Sequence, residues 1–224
     1  MKQFIPPGRL RLGVLASGRG SNFDAIYAAT RRGDLDAEVR VLVSDRRDAA
    51  VLTKADERGI PAIHLDPGRF SHREEYERRL VEVLQEYDVN LVVLAGYMRL
   101  VGSTILESFP NRVVNIHPAL LPAFTGLNAQ RQAVEYGVRF SGCTVHIVDH
   151  GMDTGPIIMQ AVVPVEQEDD EDTLALRILA QEHEIYWRSL QLLAEGRLWL
   201  QGRKVYIRPL LPTQGGHEDE TSTN

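Results

Sequence analysis

Asn115 and His117 stand two residues apart at the end of the apolar run "RVVNIHP", and Pro118 and Pro122 stop regular structure just beyond them. On an extended segment, side chains two apart share a face, so this pair projects together while Ile116 packs on the other side. A carboxamide and an imidazole placed together can donate hydrogen bonds to a developing oxyanion and move a proton. Taken alone, the pair also fits a plainer duty, satisfying loop backbone. A carboxylate could join it from "VDHGMDTGPII", where Asp149 and Asp153 lie among glycines. Gly151 and Gly155 permit a sharp turn that carries an acidic side chain back over a sheet edge. Asp149 also suits the local hydrogen bonds of a turn. No second His or Cys stands at ligand spacing near His117, which argues against a metal site.

A second motif, "ASGRGSNFDAI", follows an apolar run and opens a helical one. Gly18 and Gly20 allow positive φ and close backbone approach, Ser21 or Asn22 can cap the helix, and Arg19 adds a cation. Free amides at such a helix start bind anions, so the loop suits a phosphate. A dinucleotide fingerprint is the obvious rival, but its third glycine is missing, because the helix opens with Asn22 and Phe23. The loop alone is equally a tight turn with no ligand.

These groups need a scaffold. Apolar runs at 10–17, 37–45, 60–66, 89–97 and 111–116 alternate with helical periodicity at 21–33, 49–59, 71–87 and 102–109. Continuous apolar strands between helices predict an open, mostly parallel, doubly wound α/β sheet with helices on both faces. Asn115 and His117 then fall at the C-terminal end of a parallel strand, where such sheets bind ligands. The later chain reads differently: two strands, 143–149 and 156–165, then a long helix over 173–194, and a short hairpin about "QG". Residues 1–211 read as one domain and 212–224 as a polar, disordered tail.

Composition bounds the function. The chain has 224 residues, 43% of them hydrophobic and 25% charged, enough for a sizeable core without covalent staples. A formal net charge of −6 argues against broad nucleic-acid binding but leaves room for a local pocket for one phosphate ester. The single cysteine, Cys143, excludes an internal disulfide and a cysteine zinc cluster, and it reads as a buried strand residue. "MKQFIPPGRL" is too short and proline-broken for a signal peptide, and no apolar run approaches the about 20 residues of a membrane span. A cytoplasmic location follows as the expectation.

The segments "LASGRGSN", "LAGYMRLV", "NIHPALLPAFTG", "GCTVHIVDHGMDTGPII" and "QEHEIYW" occur in the order and at spacings similar to those of the glycinamide ribonucleotide formyltransferases. These are folate-dependent enzymes of purine biosynthesis, in a superfamily whose sheet is a Rossmann variant. The resemblance covers about residues 10–210. It implies Asn115, His117 and Asp153 as the catalytic trio. It implies Ser17, Gly18, Arg19, Gly20, Ser21 and Asn22 as the loop for the ribonucleotide phosphate and ribose, and Glu182 as a contact of the acceptor substrate. Arg73, Met98, Arg99, Leu100 and Val101 would line the folate pocket, and His150, Gly151, Met152 and Asp153 would face the pterin. His146 would stand behind the trio. Two departures fall on the folate side: Ala123 and Thr125 replace basic or bulkier residues, and Asn128 and Gln130 stand where histidine is frequent.

The implied reaction moves a formyl group from N10 of 10-formyltetrahydrofolate to a primary amine, with small-molecule substrates, no metal, no nucleic acid and no membrane partner, in a monomer or homodimer. Asn115, and His117 if Asp153 holds it in a donating form, would stabilise the oxyanion. Asp153 would accept the amine proton and pass it to the leaving nitrogen. The rivals are a methionyl-tRNA formyltransferase, a 10-formyltetrahydrofolate hydrolase, and a non-catalytic folate- or nucleotide-binding protein. The first calls for an added nucleic-acid-binding domain and the second for an N-terminal regulatory domain. The third has no need of all three polar groups.

Overall fold

The computed structural model describes residues 2–4 and 7–209. The tail expected after residue 211 lies outside them. The elements run β1 (Lys2–Gln3), β2 (Leu10–Leu15), α1 (Ser21–Arg32), β3 (Ala37–Ser44), α2 (Ala50–Asp56), β4 (Ala62–His64), α3 (Arg73–Glu86), β5 (Leu91–Leu94), α4 (Ser103–Ser108), β6 (Val113–His117), α5 (Ala129–Tyr136), β7 (Phe140–Ile147), β8 (Ile157–Pro164), α6 (Glu171–Ala194), β9 (Leu198–Gln201) and β10 (Lys204–Ile207).

Seven strands form one sheet in the order β4-β3-β2-β5-β6-β7-β8. The first five in that order are parallel, whereas β7 is antiparallel to β6 and β8 to β7. The expected mostly parallel sheet with a terminal antiparallel pair is therefore present. The chain winds outward from β2 through β3 to β4, then crosses back to β5 on the other side of β2. This makes a topological switch point between β2 and β5, and the crevice at the carboxyl ends of those strands is the place such sheets bind ligands.

Burial on both faces explains the apolar strands. Along β5, Leu91 and Val93 pack into one core and Val92 and Leu94 into the other. The first core lies under α1, α2 and α6 and includes Phe23, Ile26, Val51, Leu174, Ile178 and Leu190. The second lies under α3 and α4 and includes Tyr76, Leu80, Leu84 and Ile105. Each fully buried aliphatic side chain contributes about 1.5–3 kcal/mol. Cys143 is buried in β7, and burial pushes its thiol up to about 12, so it holds no thiolate at neutral pH.

Two elements have no counterpart in the sequence reading. Helix α5 buries only Ala129 and Ala133, too little to make an apolar stripe. Strand β1 spans two residues and pairs with β9 in a small sheet ordered β1-β9-β10, a long-range pairing that local pattern does not encode. Helix α6 starts at Glu171, two residues before its expected start, because Asp170 accepts from the Thr173 amide at 2.8 Å and forms a capping box.

Candidate active site

Strand β6 delivers Asn115 and His117 to the carboxyl edge of the sheet on the face they share, while Val114 and Ile116 pack into the core beneath α6. Tyr186 of α6, fully buried, reaches the carbonyls of Leu94 and Val114 at 2.9 and 3.0 Å and pins the helix to the ends of β5 and β6. Antiparallel pairing sets Asn115 opposite His146 of β7. Their side chains meet at 3.3 Å, Asn115 Nδ2 to His146 Nε2. The other ring nitrogen of His146 lies 3.0 Å from the Ile147 carbonyl, which can only accept, so Nδ1 carries the hydrogen. Burial lowers the His146 pKa, which favours this neutral ring. Nε2 is then an acceptor, and it fixes one Nδ2 hydrogen of Asn115 while the other remains to donate.

The loop after β7 returns the carboxylate. Asp149 closes the loop by accepting from the Gly151 amide at 3.1 Å and the Thr154 hydroxyl at 2.6 Å, a turn role. Asp153 takes a left-handed backbone, φ 54°, an uncommon conformation for a residue with a side chain. This turns its carboxylate toward β6. Asp153 Oδ2 lies 3.4 Å from His117 Nδ1 and accepts from the Gly126 amide at 2.8 Å, while Oδ1 lies 3.7 Å from His146 Nε2. The Asp153 side chain is 13% exposed, enclosed yet reachable. His117 Nε2 donates to the Phe124 carbonyl at 2.8 Å. Both ring nitrogens of His117 therefore face protein groups, Nε2 the Phe124 carbonyl and Nδ1 the Asp153 carboxylate, rather than the open cleft. The Phe124 carbonyl that accepts from His117 and the Gly126 amide that donates to Asp153 are backbone groups that side-chain reasoning does not reveal. Their one sequence signal is the glycine of "AFTG".

The departures at 123–130 fall on the 122–128 loop and the start of α5. Asn128 takes φ 57° at the start of α5, a left-handed position that asparagine tolerates. Gln132 holds the same loop through the Leu127 carbonyl at 2.9 Å. Ala123 and Thr125 are exposed and Gln130 is half-buried.

The glycine loop lies two strands away at the end of β2. Gly20, not Ser21 or Asn22, caps α1, in a left-handed conformation with φ 77° and with no side-chain cap. A Cβ there would run into Val51, so the loop lies flush on α2. The first-turn amides of α1 are left for an anion. Gly18 and Arg19 are exposed, and Ser21 is half-buried. Asn22 instead turns inward, where its Nδ2 donates to Glu182 at 2.9 Å. Glu182 is 7% exposed, and burial raises its pKa despite that hydrogen bond. Asn22 Oδ1 is buried with no hydrogen-bond partner among the described residues. The two thus form a polar couple at the helix start with capacity to spare for a polar ligand.

On the other side of the switch point, Arg73, Met98, Arg99 and Leu100 line a shallow pocket of about 220 Å³. Met98 and Leu100 are 63% and 61% exposed, unusual for large apolar side chains and suited to covering a flat apolar ring. Arg73 donates to the Leu100 carbonyl at 2.6 Å, so it shapes this segment, and Val101 packs against the core below. His150, Gly151 and Met152 lie exposed on the loop that carries Asp153. Ser17 is buried between the two halves, its hydroxyl engaged by protein groups on both sides.

Comparison with known proteins matches this geometry to a family. A family profile described as Formyl transferase matches residues 10–190. The phosphoribosylglycinamide formyltransferase of Bacillus subtilis is 42% identical over 176 residues, covering 79% of this chain and 90% of that protein. The trifunctional purine biosynthetic protein adenosine-3 of Drosophila melanogaster is 43% identical over 87% of this chain, which spans 15% of that protein's length. The crystal structure of glycinamide ribonucleotide transformylase 1 from Symbiobacterium toebii superposes with a TM-score of 0.88 at 52% identity, covering 89% of this chain and 94% of the other. The chain belongs to the formyl transferase family, among the phosphoribosylglycinamide formyltransferases.

Proposed function

We propose that the chain transfers the formyl group of 10-formyltetrahydrofolate to the primary amine of glycinamide ribonucleotide, giving formylglycinamide ribonucleotide and tetrahydrofolate in purine biosynthesis. The carrying observation is the convergence of Asn115, His117, His146 and Asp153 at one sheet edge, two strands from a glycine loop. An uncapped 12-residue helix start supports the phosphate end of the acceptor, and the Asn22–Glu182 couple supports its polar body. The exposed apolar segment at 98–100 and the loop at 150–153 support the folate side.

The neutral amine attacks the formyl carbon, and the carbonyl oxygen becomes an oxyanion. The free Nδ2 hydrogen of Asn115 donates to it, its direction set by His146. The nitrogen of the former amine is now acidic, and Asp153 takes its proton directly or through water. As the bond to N10 breaks, that proton goes to N10, so charge and atoms balance without a covalent enzyme intermediate. His117 ties the 122–128 loop to the site through Nε2, and its Nδ1 stands 3.4 Å from Asp153 Oδ2. Among the described residues no group of three or more His, Cys, Asp or Glu is placed to hold a metal ion, and no helix is long and apolar enough to cross a membrane. The chain is read as a cytoplasmic enzyme of one domain.

The test mixes purified protein with 10-formyltetrahydrofolate, with and without glycinamide ribonucleotide, and follows the deformylated folate. Release that requires the ribonucleotide and is lost in Asp153→Asn is the expected outcome. Release without the acceptor would make the protein a hydrolase. Folate binding with no release would make it a binding protein.

A further inference from the structure

Asp45 belongs to none of the motifs in the sequence, yet it stands beside the switch point, at the end of β3. It follows β3 directly, Ser17 follows β2 by two residues and Met98 follows β5 by four. These strands are neighbours in the order β3-β2-β5, so their carboxyl ends bring the three residues together. Ser17 Oγ lies 2.6 Å from Asp45 Oδ1 and 2.9 Å from the Met98 amide nitrogen. An amide N–H can only donate, so the serine oxygen accepts from Met98, and the one hydroxyl proton goes to Asp45. The Ser17 amide donates in turn to the Gly96 carbonyl at 3.0 Å. Ser17 is 5% exposed, so water does not compete for these bonds.

The consequence is a link between two loops with different duties. Ser17 begins the glycine loop, and Met98 begins the exposed apolar segment. The far end of that segment is held by α3, where Arg73 donates to the Leu100 carbonyl at 2.6 Å and Glu77 accepts from the Gly102 amide at 2.8 Å. Tyr97 is tied to the same helix through its hydroxyl, 2.7 Å from that of Tyr76. Only its near end depends on Ser17. Without the Asp45 acceptor, the Ser17 proton has no fixed direction, and one change loosens both loops.

We propose that Asp45 is a positioning residue that, through Ser17, locks the glycine loop and the 98–101 segment into one unit, so that the affinities for ribonucleotide and folate depend on it together. The role rests on the formyl-transfer reading for the identity of the two ligands. Asparagine keeps an acceptor oxygen at the same place, whereas alanine removes it. Asp45→Ala should raise KM for glycinamide ribonucleotide and for 10-formyltetrahydrofolate alike, by roughly three- to tenfold, with a smaller change in kcat. Asp45→Asn should restore both. Ser17→Ala should match Asp45→Ala, and the double variant should be no worse than either single one, since both break the same link. Dissociation constants from calorimetry with each ligand alone read the same link without turnover. Ligand affinities unchanged in Asp45→Ala, a rise for one ligand only, or an Asp45→Asn as impaired as alanine would each overturn the role. A wild type with no acceptor-dependent release would instead overturn the formyl-transfer reading, and the calorimetry would still decide the link.

Discussion

Asn115 Nδ2 sits 3.3 Å from His146 Nε2, across the one antiparallel pairing that β6 makes in the sheet. A parallel neighbour at this position would have to arrive through a crossover helix. The antiparallel return of β7 instead places an imidazole directly opposite the carboxamide and leads straight into the loop that carries Asp153. The relationship gives a ranked expectation. Asn115→Ala removes the oxyanion donor and should lower kcat by about 10²–10³. His146→Ala leaves the donor but frees its direction, and should lower kcat by about five- to tenfold, the size of one ordinary hydrogen bond. Steady-state kinetics on both variants checks the order. A His146→Ala loss equal to that of Asn115→Ala would mean that His146 itself touches the reacting atoms.

Asp153 combines a left-handed backbone with the carboxylate, and the two can be separated by substitution. Asparagine tolerates φ near 54° but has no basic carboxylate, whereas valine fits neither requirement. Asp153→Asn should keep the fold and lose about 10²–10⁴ in kcat, the range of general-base catalysis. Asp153→Val should also weaken folate binding, because the loop would have to change its path. Thermal unfolding and folate titration of the two variants distinguish loss of charge from loss of loop shape.

His146 also gives a pH dependence with a definite sign. Burial lowers its folded-state pKa below the usual value of 6.5, so between those two values the unfolded chain binds the extra proton and the native protein does not. Its contribution to stability is complete above the unfolded value and falls away as pH drops from there toward the folded one. His146→Gln, which cannot titrate, should flatten that part of the stability curve. Denaturant midpoints across this acid range check it.

Much of this was legible because the sheet is buried on both faces. The apolar runs at 10–17, 89–97 and 111–116 announce parallel strands, and the period of two places Asn115 and His117 on one face. The glycine loop read equally as an anion site and as a plain turn, and its cap was not legible. Gly20 takes that position because Val51 packs where its side chain would be, a tertiary contact with no local signature. Likewise His117 has the Phe124 carbonyl and Asp153 as partners, and the first is a backbone group set by the shape of the 122–128 loop. The identity of the substrates came from resemblance, since spacing alone left the glycine loop and the Asn–His pair open to plainer readings.

Gly20 offers a stability test of that cap. Alanine there must adopt φ 77° and also displace Val51. Gly20→Ala should cost more than about 1 kcal/mol, exceeding the gain glycine replacement gives where the backbone is permissive. Adding Val51→Ala should relieve the clash but not the backbone strain, while opening a cavity of its own. Denaturant midpoints of the two variants measure this, and a Gly20→Ala protein as stable as the parent would show that the loop has room to move away from α2.

Glu182 should show the reverse, a residue whose removal stabilises the fold and harms the function. Burial raises its pKa, and the Asn22 amide offsets this only in part. Between the unfolded and the raised folded value the native state holds the extra proton, so stability falls as pH rises through that window. Above it, the protein carries the cost of a buried carboxylate. Glutamine keeps an acceptor for Asn22 and cannot ionise, so Glu182→Gln should raise the melting temperature at neutral pH and remove that part of the pH slope. In the proposed reaction the carboxylate also contacts the acceptor, so the same variant should raise KM for glycinamide ribonucleotide by roughly tenfold while leaving KM for the folate unchanged, the loss expected for one hydrogen bond to a charged group. Calorimetric melting at two pH values and kinetics with each substrate varied check both halves. A stabilised protein with an unchanged acceptor KM would leave Glu182 as a buried cost with no binding role, and the acceptor would then have to be held by the helix start alone.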